Sequence, residues 1–212
     1  MRIKVMIASC LAITSLGLSS CSSSSSSAPC ANYGTNMVTN WSFRTSLTST
    51  GLVDNSTFPP WQIAYGSPRF GAGVGADTIH GYAYLWGTLD DGNAIWQPLT
   101  TSIKKNHTYR IGFYAKSSSV NQDFHSQKYI NIRFLAFNNN PGGMHWIPDP
   151  GNVAVIGETT TTQMDTWANY FLGDWTADAD YSNIEIDVST DVSGSGNESW
   201  AGIDLVQLQE KQ

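Results

Sequence analysis

Three segments of this chain alternate apolar and polar side chains with a period of two, and that alternation limits the fold class more than any other feature. In His107 to Lys116, "HTYRIGFYAK", Tyr109, Ile111, Phe113 and Ala115 share one face, while Arg110, Gly112, Tyr114 and Lys116 share the other. Lys128 to Phe137, "KYINIRFLAF", sets Ile130, Ile132, Phe134 and Ala136 against Asn131, Arg133 and Leu135. Ser182 to Ser189, "SNIEIDVS", sets Ile184, Ile186 and Val188 against Glu185 and Asp187. Successive side chains of a strand point to opposite sides of a sheet, so each segment predicts a strand with one buried face. Weaker strands are expected at Met37 to Phe43, Trp61 to Tyr65, Ile79 to Trp86, Ala94 to Pro98, Asn152 to Ile156, Trp167 to Leu172 and Ile203 to Gln209. Turn clusters stand at "NNNPGG" (Asn138 to Gly143), "DPG" (Asp149 to Gly151) and "SGSGN" (Ser193 to Asn197). No segment keeps a helical period over several turns, and no internal repeat is visible. The expectation is an all-β chain folded as a two-sheet β-sandwich, with one domain over residues 31–212.

The amino-terminal residues follow another pattern. Arg2 and Lys4 precede Val5 to Leu18, a mostly apolar run of fourteen residues with no charge and no proline. That is the shape of a secretory signal; a spanning helix needs about 20 apolar residues. Its end, Leu18-Ser19-Ser20-Cys21, resembles the bacterial lipobox, in which the cysteine is acylated and becomes the mature amino terminus. The resemblance implies a lipoprotein signal peptide over residues 1–20, lipidation at Cys21, and a place in the bacterial cell envelope, at the outer membrane or cell surface. Ile7-Ala8-Ser9-Cys10 fits the same pattern but leaves most of the apolar run behind it. Ser22 to Ser27 with Ala28 and Pro29 cannot bury apolar surface, so residues 21–30 are expected to form a flexible tether of roughly 17 Å r.m.s. span. The competing reading is ordinary secretion with a Cys21–Cys30 disulfide, whereas acylation leaves Cys30 without a partner in its own chain.

Loss of Arg2 and Lys4 takes the formal charge from −6 to −8, so the mature chain is acidic. Nucleic acid and anionic polysaccharide are poor electrostatic partners for it, because both are held by clustered Lys and Arg. Charged residues make up only 13% of the chain, while Gly, Ser, Thr, Asn, Trp and Tyr are plentiful. This suits strands joined by polar turns in an extracellular protein. Eight tryptophans then raise the question of which face solvent.

Several stretches resemble one family. "NMVTNWSF" (Asn36 to Phe43) is similar to the opening of carbohydrate-binding modules of the cellulase-associated type, families 4, 9 and 22. "GYAYLWG" and "NAIWQPLTTSIKKNHTYRIGFYAKSS" resemble the strands that follow, "TWANYFLGDW" a later Trp-containing strand, and "WAGIDLVQLQ" the closing strand. The resemblance covers most of residues 36–209 and implies a galactose-binding-like jelly roll whose usual role is non-catalytic glycan binding. It also implies a structural calcium held partly by the last-strand aspartate, here Asp204. Arg44 stands where the family commonly has the second ligand, a Glu, and would repel a cation; Asn40-Trp41 replaces the usual Asn-Gly.

Sugar rings present apolar C–H faces inside a rim of hydroxyls, so a glycan site needs exposed aromatic platforms with polar groups beside them. Trp146, in "GGMHWIPDP", and Trp175, at a strand end after Asp174, are candidate platforms. In "GYAYLWG", Tyr82, Tyr84 and Trp86 share a face, and either that face or the Ala83–Leu85 face is buried. Trp96 is equally ambiguous, while Trp61, Trp167 and Trp200 are expected to be packing residues. Arg110, Tyr114, Asn131 and Arg133, with Gln97, are expected to supply polar contacts from one concave face.

The catalytic alternative is weaker. Glu185 and Asp187 resemble the first two carboxylates of an E-x-D-x-x-E glycosidase strand, but Thr190 occupies the third position, so the proton donor is missing and a solvated acidic face is expected. His80, His107, His125 and His145 lack metal-ligand spacing, His125 beside Asp123 lacks a nucleophile, and no G-x-S-x-G is present. The expected function is non-catalytic binding of neutral polysaccharide by a membrane-anchored domain. A small glycoside hydrolase or lyase and an adhesin-like envelope protein are the alternatives.

Overall fold

Alternating residues of the three best segments meet across the core. Phe113 and Phe134 pack with ring centroids 4.8 Å apart, and Tyr109, Ile111, Ile130, Ile132, Ile184, Ile186 and Val188 are all fully buried beside them. Burial of each such side chain contributes roughly 1.5–3 kcal/mol, so this set dominates the stability of the sandwich. The computed structural model describes residues 32–43, 51–54, 59–72, 75–76, 81–87, 92–118, 130–139, 152–161, 166–189 and 199–212. Among the described residues there are eleven strands and no helix: β1 (Gly51–Asp54), β2 (Gln62–Tyr65), β3 (Arg69–Ala72), β4 (Tyr82–Gly87), β5 (Ala94–Ile103), β6 (Thr108–Ser118), β7 (Ile130–Phe137), β8 (Val153–Thr161), β9 (Ala168–Thr176), β10 (Tyr181–Ser189) and β11 (Ser199–Glu210).

The strands form two antiparallel sheets, one of six in the order β1-β3-β4-β11-β6-β9 and one of five in the order β2-β5-β10-β7-β8. Residues Asn32–Gln212 make up one compact unit. Because β6 and β7 lie in different sheets and turn their apolar residues toward each other, their remaining side chains point away on opposite sides of the sandwich. This separation governs where a site can be built.

Two strands, β1 and β3, lie where none was expected; both are four residues long, too short to show a period. Conversely, Met37 to Phe43 is not a strand. The segment runs beside β11 and joins it through two backbone bonds, Met37 N–H to the Leu208 carbonyl at 2.9 Å and Val206 N–H to the Trp41 carbonyl at 2.8 Å, and through side-chain bonds. Asn36 donates from Nδ2 to the Val206 carbonyl at 3.0 Å, and its Oδ1 accepts the N–H groups of Val38 at 3.1 Å and Leu208 at 2.9 Å. Thr39 is clamped in turn by Gln97, and a turn follows in which Asn40 and Phe43 adopt positive φ of 44° and 46°. Phe43 is thereby driven fully into the core, stacked on Trp61 at 5.1 Å. Asn36→Ala removes three hydrogen bonds and leaves backbone groups of β11 unpaired, so it should cost about 2–3 kcal/mol in urea unfolding at unchanged m value.

Candidate functional site

The central strand of the five-stranded sheet carries the chemistry. On β10, Ile184, Ile186 and Val188 enter the core, and Asn183, Glu185 and Asp187 point to the outer side. Antiparallel register then fixes their neighbours. Glu185 lies between Trp96 of β5 and Leu135 of β7, and Asp187 between Ala94 and Arg133. Beyond them, Gln62 on β2 faces Trp96, Glu158 on β8 faces Arg133, and Asn131 lies between Ser189 and Thr160.

This outer face is not the solvated acidic surface expected from the sequence. Glu185 is only 1% exposed and Asp187 6%, and Leu135 and Phe137 are buried with them. Trp96 is half-buried, its ring 5.7 Å from Phe137 in an edge contact. Arg133 reaches the exposed Glu158, Nε to Oε2 at 3.4 Å, and Asn131 accepts a 2.7 Å hydrogen bond from Thr160 Oγ1. Burial pushes the Glu185 carboxyl up to about 8, with the Asp187 charge adding to the effect. Burial also raises Asp187, to about 6, against the opposing pull of Arg133 and the Val188 N–H. At neutral pH the first acid is therefore mostly protonated and the second mostly ionised. Strongly perturbed carboxyls beside an aromatic ring and a guanidinium make this face the candidate site.

The expected site residues do not converge. Asn131 and Arg133 join this face, whereas Arg110 and Tyr114 lie on β6 and face outward from the six-stranded sheet, so the expected shared surface is corrected to two opposite ones. Gln97 faces inward and is fully buried; its amide accepts from Thr39 N and Oγ1 at 3.2 and 2.8 Å and donates to the Thr39 carbonyl at 2.9 Å, a clamp rather than a ligand contact. Trp175 is not an open platform. The register shift between β6 and β9 puts it on the inner side with Leu172, 6.2 Å from the Tyr109 ring and 6.1 Å from Tyr181.

Ala83 and Leu85 are the core face of "GYAYLWG", and Tyr82 and Tyr84 face outward. Yet Tyr84 is 3% exposed, stacked on Trp200 at 4.5 Å and 6°. Trp86 belongs to β4, and Trp146 and Cys21 lie outside the described residues. Trp167, expected inside, precedes the inward Ala168 and therefore faces outward, 5.5 Å from Tyr82. Glu185 and Asp187, read from the sequence as a solvated acidic face, are instead buried. Their period marked the face correctly but carried no sign of burial.

Asp204, the residue expected to hold a structural calcium, is engaged by backbone. Its Oδ2 accepts the Ala76 N–H and its Oδ1 the Leu205 N–H, each at 2.7 Å, which holds the bulged backbone at Leu205, where φ is 52°. A calcium ion takes six to eight oxygen ligands. No group of three or more His, Cys, Asp or Glu side chains that could hold a metal occurs among the described residues, and each Asp204 oxygen accepts an N–H, so Asp204 clamps backbone here and is not one of a carboxylate set of calcium ligands.

Both raised carboxyls bind protons more tightly in the folded chain than in the unfolded one, so stability should fall as pH rises from their ordinary values of 4.5 and 3.8 through about 8 and 6. Thermal melts should show Tm falling by about 5–10 °C between pH 5 and 8.5, and Glu185→Gln should flatten most of that slope.

No protein-family model matches the chain, and no curated protein matches it. Solved structures do resemble it. The module TmCBM61, solved with β-1,4-galactotriose, is similar over 82% of this chain and 98% of that one, at 19% identity and a TM-score of 0.44. The arabinose-bound α-L-arabinofuranosidase MgGH51 is similar over 83% of this chain and 26% of that one, at 10% identity and a TM-score of 0.52. The CBM22-1–GH10 modules of Clostridium thermocellum xylanase 10B, complexed with xylohexaose, are similar over 85% of this chain and 28% of that one, at 9% identity and a TM-score of 0.45. At such identities the likeness is one of fold. In that sense the chain is an all-β, two-sheet jelly-roll β-sandwich.

Proposed function

We propose that the domain binds neutral polysaccharide non-catalytically on the outer face of the five-stranded sheet. The observation that carries this reading is the Glu185–Asp187 pair, buried on an outward sheet face beside half-buried Trp96 and Arg133. Trp96 offers a ring to a sugar's C–H face, and Asn131, Arg133 and Gln62 offer donors and acceptors to its hydroxyls, with the Glu185 and Asp187 carboxyls buried in register between them. Asp187 and Glu158 outnumber Arg133 in charge on this face, which disfavours an anionic polymer. Trp146 belongs to the same proposal, because its segment connects β7 and β8, both in this sheet.

Thr190 stands where a third, proton-donating carboxyl would complete a glycosidase strand, and this supports binding over hydrolysis. The split protonation of Glu185 and Asp187 is the one observation that favours a hydrolase as a second reading. Gels containing xylan, β-glucan or mannan should retard the protein while polymer viscosity stays constant. Trp96→Ala and Glu185→Gln should each weaken retardation roughly tenfold. Falling viscosity would establish the hydrolase instead, and retardation untouched by both substitutions would move the site elsewhere.

We also propose that acylated Cys21 holds the domain at the cell envelope through the serine-rich tether. Fatty-acid labelling should appear in the wild type and disappear in Cys21→Ser; label retained in that variant rules the anchor out.

A further inference from the structure

On the opposite side of the sandwich, the outer face of the six-stranded sheet contains an arginine held between aromatic rings and one ring left open to solvent. Phe171 of β9 lies across from Gly112 of β6, and a Cβ on Gly112 would come within 2.8 Å of the Phe171 ring, which therefore packs on bare backbone. Phe171 is 55% exposed, more than any other large apolar side chain among the described residues. Next to it, a Cβ built on Gly173 would meet nothing within 4 Å, so the space along the strand is open. A single exposed phenylalanine means little by itself. Its surroundings carry the argument.

The Arg110 guanidinium carbon sits 3.5 Å from the Tyr33 ring centroid and 5.6 Å from that of Phe171, and Nη2 donates to Gln209 Oε1 at 3.2 Å. Tyr33 is itself fixed: its hydroxyl donates to Asp174 Oδ1 at 2.8 Å, Asp174 Oδ2 pairs with Lys211 Nζ at 2.6 Å, and Tyr33 bridges the Lys211 backbone. The guanidinium thus loses little freedom when it binds, and a planar fork of five donors matches a carboxylate. Arg110 and Lys211 against Asp174 leave one positive charge in excess, locally reversing the sign of the chain.

We propose that Phe171 and Arg110 form a second ligand site, for a sugar residue that bears a carboxylate: the ring stacks on Phe171 and the carboxylate pairs with Arg110. A neutral sugar would leave the guanidinium without its matching anion, and a phosphate headgroup has no apolar ring face for Phe171. The site shares no residue with the five-stranded face, so it stands or falls separately from the proposed neutral-glycan site.

The test uses the full-length protein in detergent, with polygalacturonate and unsubstituted xylan as probes and thermal melts as the folding control. The wild type should bind polygalacturonate, less tightly as salt rises. Phe171→Ala and Arg110→Gln should each weaken that binding roughly tenfold or more, and Arg110→Lys should restore only part of it. Both should retain wild-type behaviour on unsubstituted xylan, whereas Trp96→Ala should show the converse. Absence of binding to polygalacturonate overturns the proposal, as does binding that survives Phe171→Ala and Arg110→Gln. It is equally overturned if Trp96→Ala abolishes acidic-polymer binding, which would mean a single site on the other face. Loss of binding to phosphatidylglycerol vesicles in Arg110→Gln, with acidic-glycan binding intact, would assign the arginine to a membrane surface instead.

Discussion

Strand β10 is buried on both of its faces, and the rest of the structure depends on that constraint. Inward, Ile184, Ile186 and Val188 complete the core with Phe134 and Phe113. Outward, Glu185 and Asp187 are removed from water almost as completely. A strand covered on both sides usually reads as a continuous apolar run. Here every second residue is an acid or an amide, so desolvation opposes folding along the same six residues whose isoleucines drive it. Core and site are consequently not independent. A shift of β10 by one residue would exchange the isoleucines with the carboxyls and destroy both.

The two-sheet architecture also decides what can act together. Arg110 and Arg133 both face outward, but from sheets on opposite sides of the core, and no single ligand residue reaches both. The two outer faces differ in kind. The five-stranded side carries buried carboxyls. The six-stranded side carries aromatic rings that mostly satisfy one another: Tyr84 on Trp200, with Arg69 5.6 Å from the Trp200 centroid, and Tyr82 against Trp167, with Lys116 Nζ 4.9 Å from that ring. A ring already stacked has lost a face that a sugar would need. Exposure, rather than the number of aromatic residues, therefore separates Phe171 from its neighbours.

This explains how far the sequence could be read. The alternation of Tyr109 to Ala115, Ile130 to Ala136 and Ile184 to Val188 predicted three core strands and the correct buried side of each, because period two is a local property. Which outward residues meet is a property of sheet order, and nothing in the segments themselves says that β6 and β7 belong to different sheets. Trp175 was misjudged through a register shift, since one extra residue after Leu172 returns the tryptophan to the inner side. Gln97 was misjudged because its partner, Thr39, is distant in sequence. Net charge, likewise, averages over faces, whereas a ligand meets only one.

The burial of β10 also sets what kind of ligand its outer face suits. Two ionised carboxylates side by side would offer acceptors only and would favour a cation. Desolvation prevents that by holding Glu185 protonated to about pH 8 while Asp187 ionises near 6. The face then presents an O–H donor in one register row and a carboxylate acceptor beside the Arg133 fork in the next. An anion would use only the donors, and a cation only the acceptors. A hydroxyl both donates and accepts, and a ring of hydroxyls around an apolar C–H face can use all of these groups together with Trp96. Burial thus converts two like acids into unlike partners, and it is on this difference, more than on the presence of acidic residues, that the proposed match to a neutral sugar rests.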